Sequence, residues 1–146
     1  MRRLKSERGT AILETALTLP LLLLVSVSIF EFGRAYQTWQ VLTNAAREGA
    51  RVAILPGQTV GNVQARVRQY MTSGQLANTG SASVSVNQGA SISIGATGTA
   101  SASIVTVNYP FSFMVLQPVA RLVVSGSTLG GAPFTLTASA EMRNEQ

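Results

Sequence analysis

The chain has 146 residues, of which 46% are hydrophobic, so it has room for one membrane-type anchor and one small domain. The formal net charge is +5, but residues 1–9 carry +3 and everything from Thr10 onward carries only +2. The leader charge comes from Arg2, Arg3, Lys5 and Arg8 against Glu7. A basic cluster just before an apolar span follows the positive-inside rule. No basic patch with interleaved aromatic residues follows, so nucleic acid is not an expected partner.

Three chemically active residue types are absent, because the chain has no His, no Cys and no Asp. Their absence removes the usual general base, the thiol nucleophile and the common metal-binding clusters. Beyond the apolar segment, the carboxylates show no local spacing that suggests a catalytic pair; they are Glu31, Glu48, Glu141 and Glu145. We therefore expect a protein that is not an enzyme and that holds no cofactor and no metal.

Residues 10–30 form an apolar run of 21 residues in which Glu14 is the one ionisable side chain. As a helix the run is about 31 Å long, at 1.5 Å per residue. That length is enough to cross a bilayer core of about 30 Å. The alternative is a secretory signal peptide, but the run is long, contains Glu14 and Pro20, and has no A-x-A-like site followed by a break. We therefore predict one transmembrane helix.

Two residues in this run are unusual for a membrane segment. An ionisable side chain in the hydrocarbon region costs roughly 2.5–3.5 kcal/mol on insertion scales, so Glu14 is a functional hypothesis by default. Pro20 removes one backbone donor and tends to kink a helix, which membrane helices tolerate. The proline is consistent with a simple kink and equally with a role in packing against other subunits.

The helical pattern continues beyond the membrane run to about Leu55. Small and apolar residues recur at steps of three and four along one face, namely Phe32, Ala35, Trp39, Leu42, Ala46, Gly49 and Ala53. This stripe is covered either by the protein's own sheet or by other subunits. The segment NAAREGAR, Asn44 to Arg51, fits a solvated face beside a packed one, with Glu48 and Arg51 as an i,i+3 pair. We expect that segment to be structural.

Pro56-Gly57 is expected to end the long helix. Apolar residues then recur with helical spacing, and they predict a second amphipathic helix over Val60–Ser73. They are Val60, Val63, Val67, Tyr70 and Met71. This short helix is expected to pack back against the long one.

The remaining chain contains strand signals. Residues 81–103 are mostly Ser, Thr, Gly and Ala, with SVSV and SISI alternation that predicts two strands joined by a hairpin loop at 87–90. A flexible low-complexity loop is the alternative there. Further strands are predicted at Ser103–Tyr109, Phe111–Leu116 and Phe134–Met142, with a long connection over 117–133. The expected class is α+β: a long N-terminal helix, a second short helix and an antiparallel sheet of three to five strands.

Several stretches together carry a resemblance to a known family. They are RGTAILETALTLPLLLL (8–24), FEFGRAYQTWQVLTNAAREGARVAIL (30–55), VTVNYPF (105–111) and LTASAEMR (136–143). The chain resembles the TadE-like minor pseudopilins of the tight-adherence (Tad) pilus system, a branch of the type IV pilin superfamily. The most specific part is the Gly-then-Glu spacing, the proline and the NAAREGAR segment, and the Ser-rich middle is the least specific.

The resemblance implies processing by a membrane-embedded prepilin peptidase between Gly9 and Thr10. Thr10 would then be the new N-terminus, and Glu14, one helical turn away, would pair with its ammonium group. That pair could form within one chain or between neighbouring subunits. The implied partners are the prepilin peptidase, other pseudopilins and the main pilin, the inner-membrane assembly platform and the lipid bilayer. The implied location is the cytoplasmic membrane, with the N-terminus cytoplasmic, the C-terminal head extracytoplasmic, and the pilus as a further destination.

The expected organisation has four parts: a cytoplasmic basic leader (1–9), the transmembrane part of the long helix (10–30), its extracytoplasmic part (31–55) and an α+β head (56–146). The expected function is a minor pseudopilin that assembles into a Tad-type pilus through this helix. A main fibre subunit is the alternative within the same class. From a different class, the alternative is an unprocessed single-pass membrane-anchored binding module or adhesin, which needs neither Gly9 nor Glu14.

Overall fold

A computed structural model describes residues 7–95, 98–123 and 133–144. Three α-helices and three strands follow the order α1 (Glu7–Ala53), α2 (Val60–Ser73), β1 (Ser83–Ile94), β2 (Gly98–Phe111), α3 (Leu116–Val123) and β3 (Phe134–Arg143). A short 3-10 helix, Thr79–Ser81, precedes β1. The described residues fall into two compact units, one of residues 7–34 with 113–123 and the other of residues 35–95, 98–112 and 133–144.

The predicted long helix is confirmed as α1, which has 47 residues and contains Pro20. Its end is made by local backbone geometry. The N–H of Leu55 donates to the carbonyl of Val52 at 3.1 Å, and Gly57 adopts a φ of +78°, a left-handed conformation that glycine tolerates. The Pro-Gly pair therefore stops the helix as the sequence predicts.

Helix α2 has the bounds that its apolar spacing predicts, Val60–Ser73. Thr59 caps it, since its side-chain oxygen accepts a hydrogen bond from the N–H of Asn62 at 3.3 Å. Val63, Val67 and Met71 form its buried face.

The three strands form one antiparallel sheet in the order β1-β2-β3, so consecutive strands are neighbours and β2 is central. Side chains of β2 alternate between two faces, and the buried face carries Val105, Val107, Tyr109 and Phe111. The hydroxyl of Tyr109 donates to the carbonyl of Ala77 in the segment before the sheet. The α+β class with a small antiparallel sheet is confirmed.

The predicted hairpin loop at 87–90 is wrong. Strand β1 runs through these residues, and its pairing with β2 is interrupted only by an irregularity between Asn87 and Ala90. The side-chain amide of Gln88 donates to the carbonyls of Ala53 and Gln58, at 3.1 Å each. These bonds to the end of α1 and the following connection hold the bulge in place, and no local sequence pattern predicts them. The real turn between β1 and β2 follows Ile94.

The predicted strand at Phe111–Leu116 is also wrong beyond its first residue. Strand β2 includes Pro110 and ends at Phe111, and Leu116 already belongs to α3. Pro110 is tolerated because β1 pairs with β2 only as far as Asn108, so the last residues of β2 have a neighbour only in β3. The predicted long connection over 117–133 contains most of α3, and its residues 124–132 lie outside the described part of the chain.

The core of the larger unit joins one face of α1 to α2 and the sheet. Its most buried hydrophobic members include Leu42, Ala45, Ala46, Ala50, Val63, Val67, Met71, Ala102, Val105 and Val107, each 0% exposed. From Leu42 to Ala53 the predicted stripe is therefore buried within this chain. Phe32 and Trp39 are 60% and 42% exposed, so that part of the stripe is not buried among the described residues.

Candidate assembly and processing site

Gly9 and Thr10, the residues expected to flank a cleavage site, lie in the first turn of α1. Both are exposed. Gly9 also has no side chain to obstruct an extended conformation in a narrow protease cleft. This position is compatible with proteolytic processing.

Glu14 lies one helical turn beyond Thr10, about 6 Å along the helix axis. Its carboxylate is exposed, and no described side chain forms an ion pair with it. Nearby hydroxyls bond back to the helix itself: Thr15 Oγ1 donates to the carbonyl of Ala11 at 2.8 Å, and Thr18 Oγ1 donates to the carbonyl of Glu14 at 2.9 Å. The hydroxyls of both threonines thus have acceptors within the helix, whereas the Glu14 carboxylate has no ion-pair partner among the described side chains.

Around Glu14, α1 presents an extensive apolar surface. Large hydrophobic side chains from Ile12 to Phe30 are 39–71% exposed; they are Ile12, Leu13, Leu17, Leu19, Leu21, Leu22, Leu23, Leu24, Val25, Ile29 and Phe30. Within the described residues, one helix is long and apolar enough to cross a membrane, and this surface belongs to it. It fits a single-pass membrane anchor.

Pro20 lies at an open groove of about 540 Å³ on this surface. All seven lining residues are apolar: Pro20, Leu21, Leu23, Leu24, Val27, Val115 and Val119. Val119 belongs to α3, and Val115 directly precedes that helix. Both lie in the same compact unit as this half of α1. Pro20 therefore contributes to a surface that is built from two separate segments of the chain.

Glu31 is a buried carboxylate whose role the sequence analysis missed. It is 1% exposed, and it accepts the N–H of Met114 at 3.0 and 2.9 Å through its two oxygens and the N–H of Val115 at 3.3 Å. Arg34 Nη2 donates to the same carboxylate at 3.2 Å. We call this set of hydrogen bonds the Glu31 clamp.

Two signals in the sequence could have identified the Glu31 clamp. Pro118 is a helix-start signal, because a proline is best tolerated in the first turn of a helix. The preceding residues, Met114 and Val115, carry no side-chain oxygen, so an acceptor for their backbone N–H groups has to come from another segment. Glu31 stands directly after the last apolar residue of the predicted membrane run.

The NAAREGAR segment lies on the buried half of α1. The predicted Glu48–Arg51 pair is wrong, since Glu48 Oε1 instead binds Arg66 Nη2 of α2 at 2.8 Å. Gly49 allows close approach, because a Cβ placed there would lie 2.5 Å from Val67 Cγ2 and 3.2 Å from Val105 Cγ1. The segment joins α1 to α2 and the sheet, which agrees with a structural role.

The N-terminal helix resembles a known protein family. Among the described residues, no cluster of three or more His, Cys, Asp or Glu side chains could hold a metal ion. No curated protein and no solved structure matches the chain at a significant level. The family model described as TadE-like protein does match, over residues 9–51, which contain Gly9, Glu14, Pro20 and Glu31. The N-terminal helix is thus similar to TadE-like proteins, which confirms the resemblance over residues 9–51.

Proposed function

We propose that this protein is a minor pseudopilin of a Tad-type pilus, processed between Gly9 and Thr10 and assembled through α1. The observation that carries the proposal is the combination on one helix of an exposed apolar surface, a lone carboxylate and a family match over residues 9–51. In this proposal residues 10–30 span the cytoplasmic membrane, residues 31–55 continue the helix outside it, and residues 56–146 form the head.

The chemistry of Glu14 supports a role in assembly. A lone carboxylate in the hydrocarbon region costs roughly 2.5–3.5 kcal/mol. Cleavage after Gly9 would create an α-ammonium group on Thr10, about one helical turn away. An ion pair in a medium of low dielectric constant is much stronger than in water, and either charge alone is strongly penalised there. A pair between subunits would therefore favour assembly in a fixed axial register.

The division of α1 supports the same function. Its second half, from Leu42 to Ala53, is buried against the chain's own α2 and sheet, so the head has a stable attachment to the helix. Its first half exposes the large hydrophobic residues from Ile12 to Phe30. Such a surface suits the bilayer before assembly and neighbouring helices after it. The partners that follow are the prepilin peptidase, the other pilins and the assembly platform.

Mass spectrometry of the membrane-extracted full chain tests the processing step. With its prepilin peptidase present, the protein should lose residues 1–9 and begin at Thr10. Without the peptidase it should keep its full length. The same full-length mass in both cells would contradict the proposal and favour an unprocessed membrane-anchored adhesin.

A substitution of Glu14 tests the assembly step separately. Glu14→Ala removes the carboxylate but leaves Gly9 and Thr10 in place, so we expect normal cleavage and strongly reduced recovery of the protein in sheared pili. Glu141→Ala is the control, because Glu141 is an exposed carboxylate on β3. Equal piliation in the two variants would remove Glu14 from the assembly mechanism.

A further inference from the structure

The segment 113–123 is a second strongly apolar region of the chain. Its sequence is FMVLQPVARLV, in which Arg121 is the one ionisable residue. It leaves the sheet after β2 and forms α3 in the same compact unit as the apolar half of α1. Met114 is 67% exposed and Val115 is 42% exposed, so the segment presents hydrophobic side chains outward rather than to a core.

The Glu31 clamp ties the start of this segment to one level of α1. The N–H of Val119 donates to the carbonyl of Val115 at 3.1 Å, which makes Val115 the N-terminal flanking residue of α3. Glu31 accepts the N–H groups of Met114 and Val115, the two residues directly before α3, and so fixes the position at which that helix begins. The rings of Phe32 and Phe113 also pack edge to face, with their centroids 5.7 Å apart.

The Glu31 clamp lies at the C-terminal end of the apolar run of α1. Glu31 directly follows Phe30, the last residue of the predicted membrane segment. Val115 and Val119 share their groove with α1 residues from Pro20 to Val27. At 1.5 Å per residue, these lie about 6 to 16 Å from Glu31 toward the N-terminus. The start of α3 therefore lies beside the part of α1 that fits the membrane, not above it.

The chemistry of the segment matches a hydrocarbon environment. Backbone groups in lipid must be satisfied within the protein. Here the Glu31 carboxylate accepts the N–H groups of Met114 and Val115, and the carbonyl of Val115 accepts the N–H of Val119. The groove between α1 and α3 is lined by apolar residues. A surface of this kind is stabilised by lipid chains and disfavoured in water.

We propose that residues 113–123 form a second membrane contact, which lies in the leaflet adjoining the C-terminal part of the chain, with lipid acyl chains in the groove. This inference rests on the proposed membrane-spanning role of α1. It adds a contact that is separate in sequence from residues 9–51. The chain would thus be held in the bilayer by a span and by a shorter helix clamped to the end of that span.

Single cysteines test the proposal, because the chain has none. The full-length protein would be reconstituted in phosphatidylcholine vesicles, with cysteine placed at Val119 or, as a second and more exposed site, at Met114. Leu23→Cys is the reference for the membrane span, and Ser85→Cys is the reference for exposed sheet surface. Each variant would be treated with a membrane-impermeant maleimide and, separately, labelled with bimane and mixed with doxyl-labelled lipids.

We expect Val119→Cys and Met114→Cys to react at least about tenfold more slowly than Ser85→Cys, because a polar reagent is excluded from hydrocarbon. Their bimane labels should be quenched by doxyl lipids as strongly as the label at Leu23→Cys. Reaction as fast as at Ser85→Cys, with Leu23→Cys protected, would overturn the second contact and leave the membrane anchor intact.

Two further outcomes would also overturn it. Protection without lipid quenching, together with disulfide-linked dimers, would mean that a second copy of the chain covers the groove. Rapid reaction at Leu23→Cys would show that α1 itself is not in the membrane, and the proposed anchor would fail with this inference.

Discussion

The two halves of α1 share one continuous backbone but have opposite surroundings. In the first half, Ile12, Leu22 and Phe30 are 70%, 61% and 69% exposed. In the second half, Leu42, Ala46 and Ala50 are all 0% exposed. The buried half is rich in Ala and includes Gly49, whereas the exposed half is rich in Leu. Small residues let the second half approach α2 and the sheet closely. The large side chains of the first half are left exposed by the described residues.

This contrast shows that the two halves of one helix can be suited to different surroundings. Hydrophobic residues on the second half stabilise the fold of this chain, because they leave water when the chain folds. Hydrophobic residues on the first half leave water only when a bilayer or another helix covers them. Mutations in the two halves should therefore affect different measurements, even when the residue type is the same.

Truncation of one leucine in each half gives the largest expected difference. Leu42→Ala should destabilise the larger unit by about 2–5 kcal/mol, since it removes buried methyl groups and leaves a cavity. Leu22→Ala removes the same atoms from an exposed position and should change that stability by less than about 0.5 kcal/mol. Urea unfolding of the full chain in detergent, followed by fluorescence of the single tryptophan, Trp39, measures both. Equal losses would contradict the division of α1.

Removal of the carboxylate where the two halves meet should have an intermediate, local effect. Glu31→Ala leaves the N–H groups of Met114 and Val115 without their acceptor, which costs about 1–3 kcal/mol. Amide hydrogen exchange at these two residues should become roughly ten- to a hundredfold faster, because each 1.4 kcal/mol corresponds to a factor of ten. Glu48→Ala is the control: it removes a partly exposed pair with Arg66 and should leave both amides unchanged. Unaltered exchange in Glu31→Ala would argue against the clamp.

A pair of glycines gives the smallest expected difference. Gly49→Ala places a Cβ 2.5 Å from Val67 Cγ2, and the overpacking should outweigh the gain in helix propensity for a net loss of about 1 kcal/mol. Gly33→Ala meets nothing within 4 Å and should cause no loss. The same Trp39 unfolding experiment compares them. Stabilisation by Gly49→Ala would show that α2 and the sheet pack less tightly against α1 than the structure indicates.

The first two helices, α1 and α2, were the part of the fold that the sequence predicted best, because their signals are local. The spacing of Val63, Val67 and Met71 predicted α2 with its observed bounds. Pro56-Gly57 predicted the end of α1 to within two residues. In both cases, the side chains that decide the structure lie within a few residues of the feature that they determine.

Long-range contacts explain the errors in the predicted strands and ion pair. The supposed hairpin at 87–90 is held within the strand by Gln88, which bonds to carbonyls 30 and 35 residues earlier. The supposed strand at Phe111–Leu116 ends at Phe111, and Glu31, 83 positions before Met114, accepts the N–H of Met114 just before α3 begins. Glu48 forms its ion pair with Arg66 on another helix and not with its neighbour Arg51. Periodicity does not contain these partners.

For the candidate site, the residues could be selected from sequence but the surroundings could not. Gly9, Glu14 and Pro20 stand out by their spacing in an apolar run, and they lie on α1 as expected. The groove beside Pro20 was not foreseen, because it needs Val115 and Val119 from a segment almost 100 residues away. The pairing of Glu14 with the Thr10 amine stays a prediction.

The bulge in β1 has a consequence for how the sheet finds its correct alignment. SVSV and SISI are near-copies, so a shift of β1 by two residues against β2 would keep every valine or isoleucine on the same face. Hydrophobic patterning alone therefore leaves several alignments almost equal in energy. In the observed alignment, the extra residue lies where the side chain of Gln88 reaches the carbonyls of Ala53 and Gln58. We therefore expect Gln88 to favour this one alignment of a repetitive, serine-rich strand.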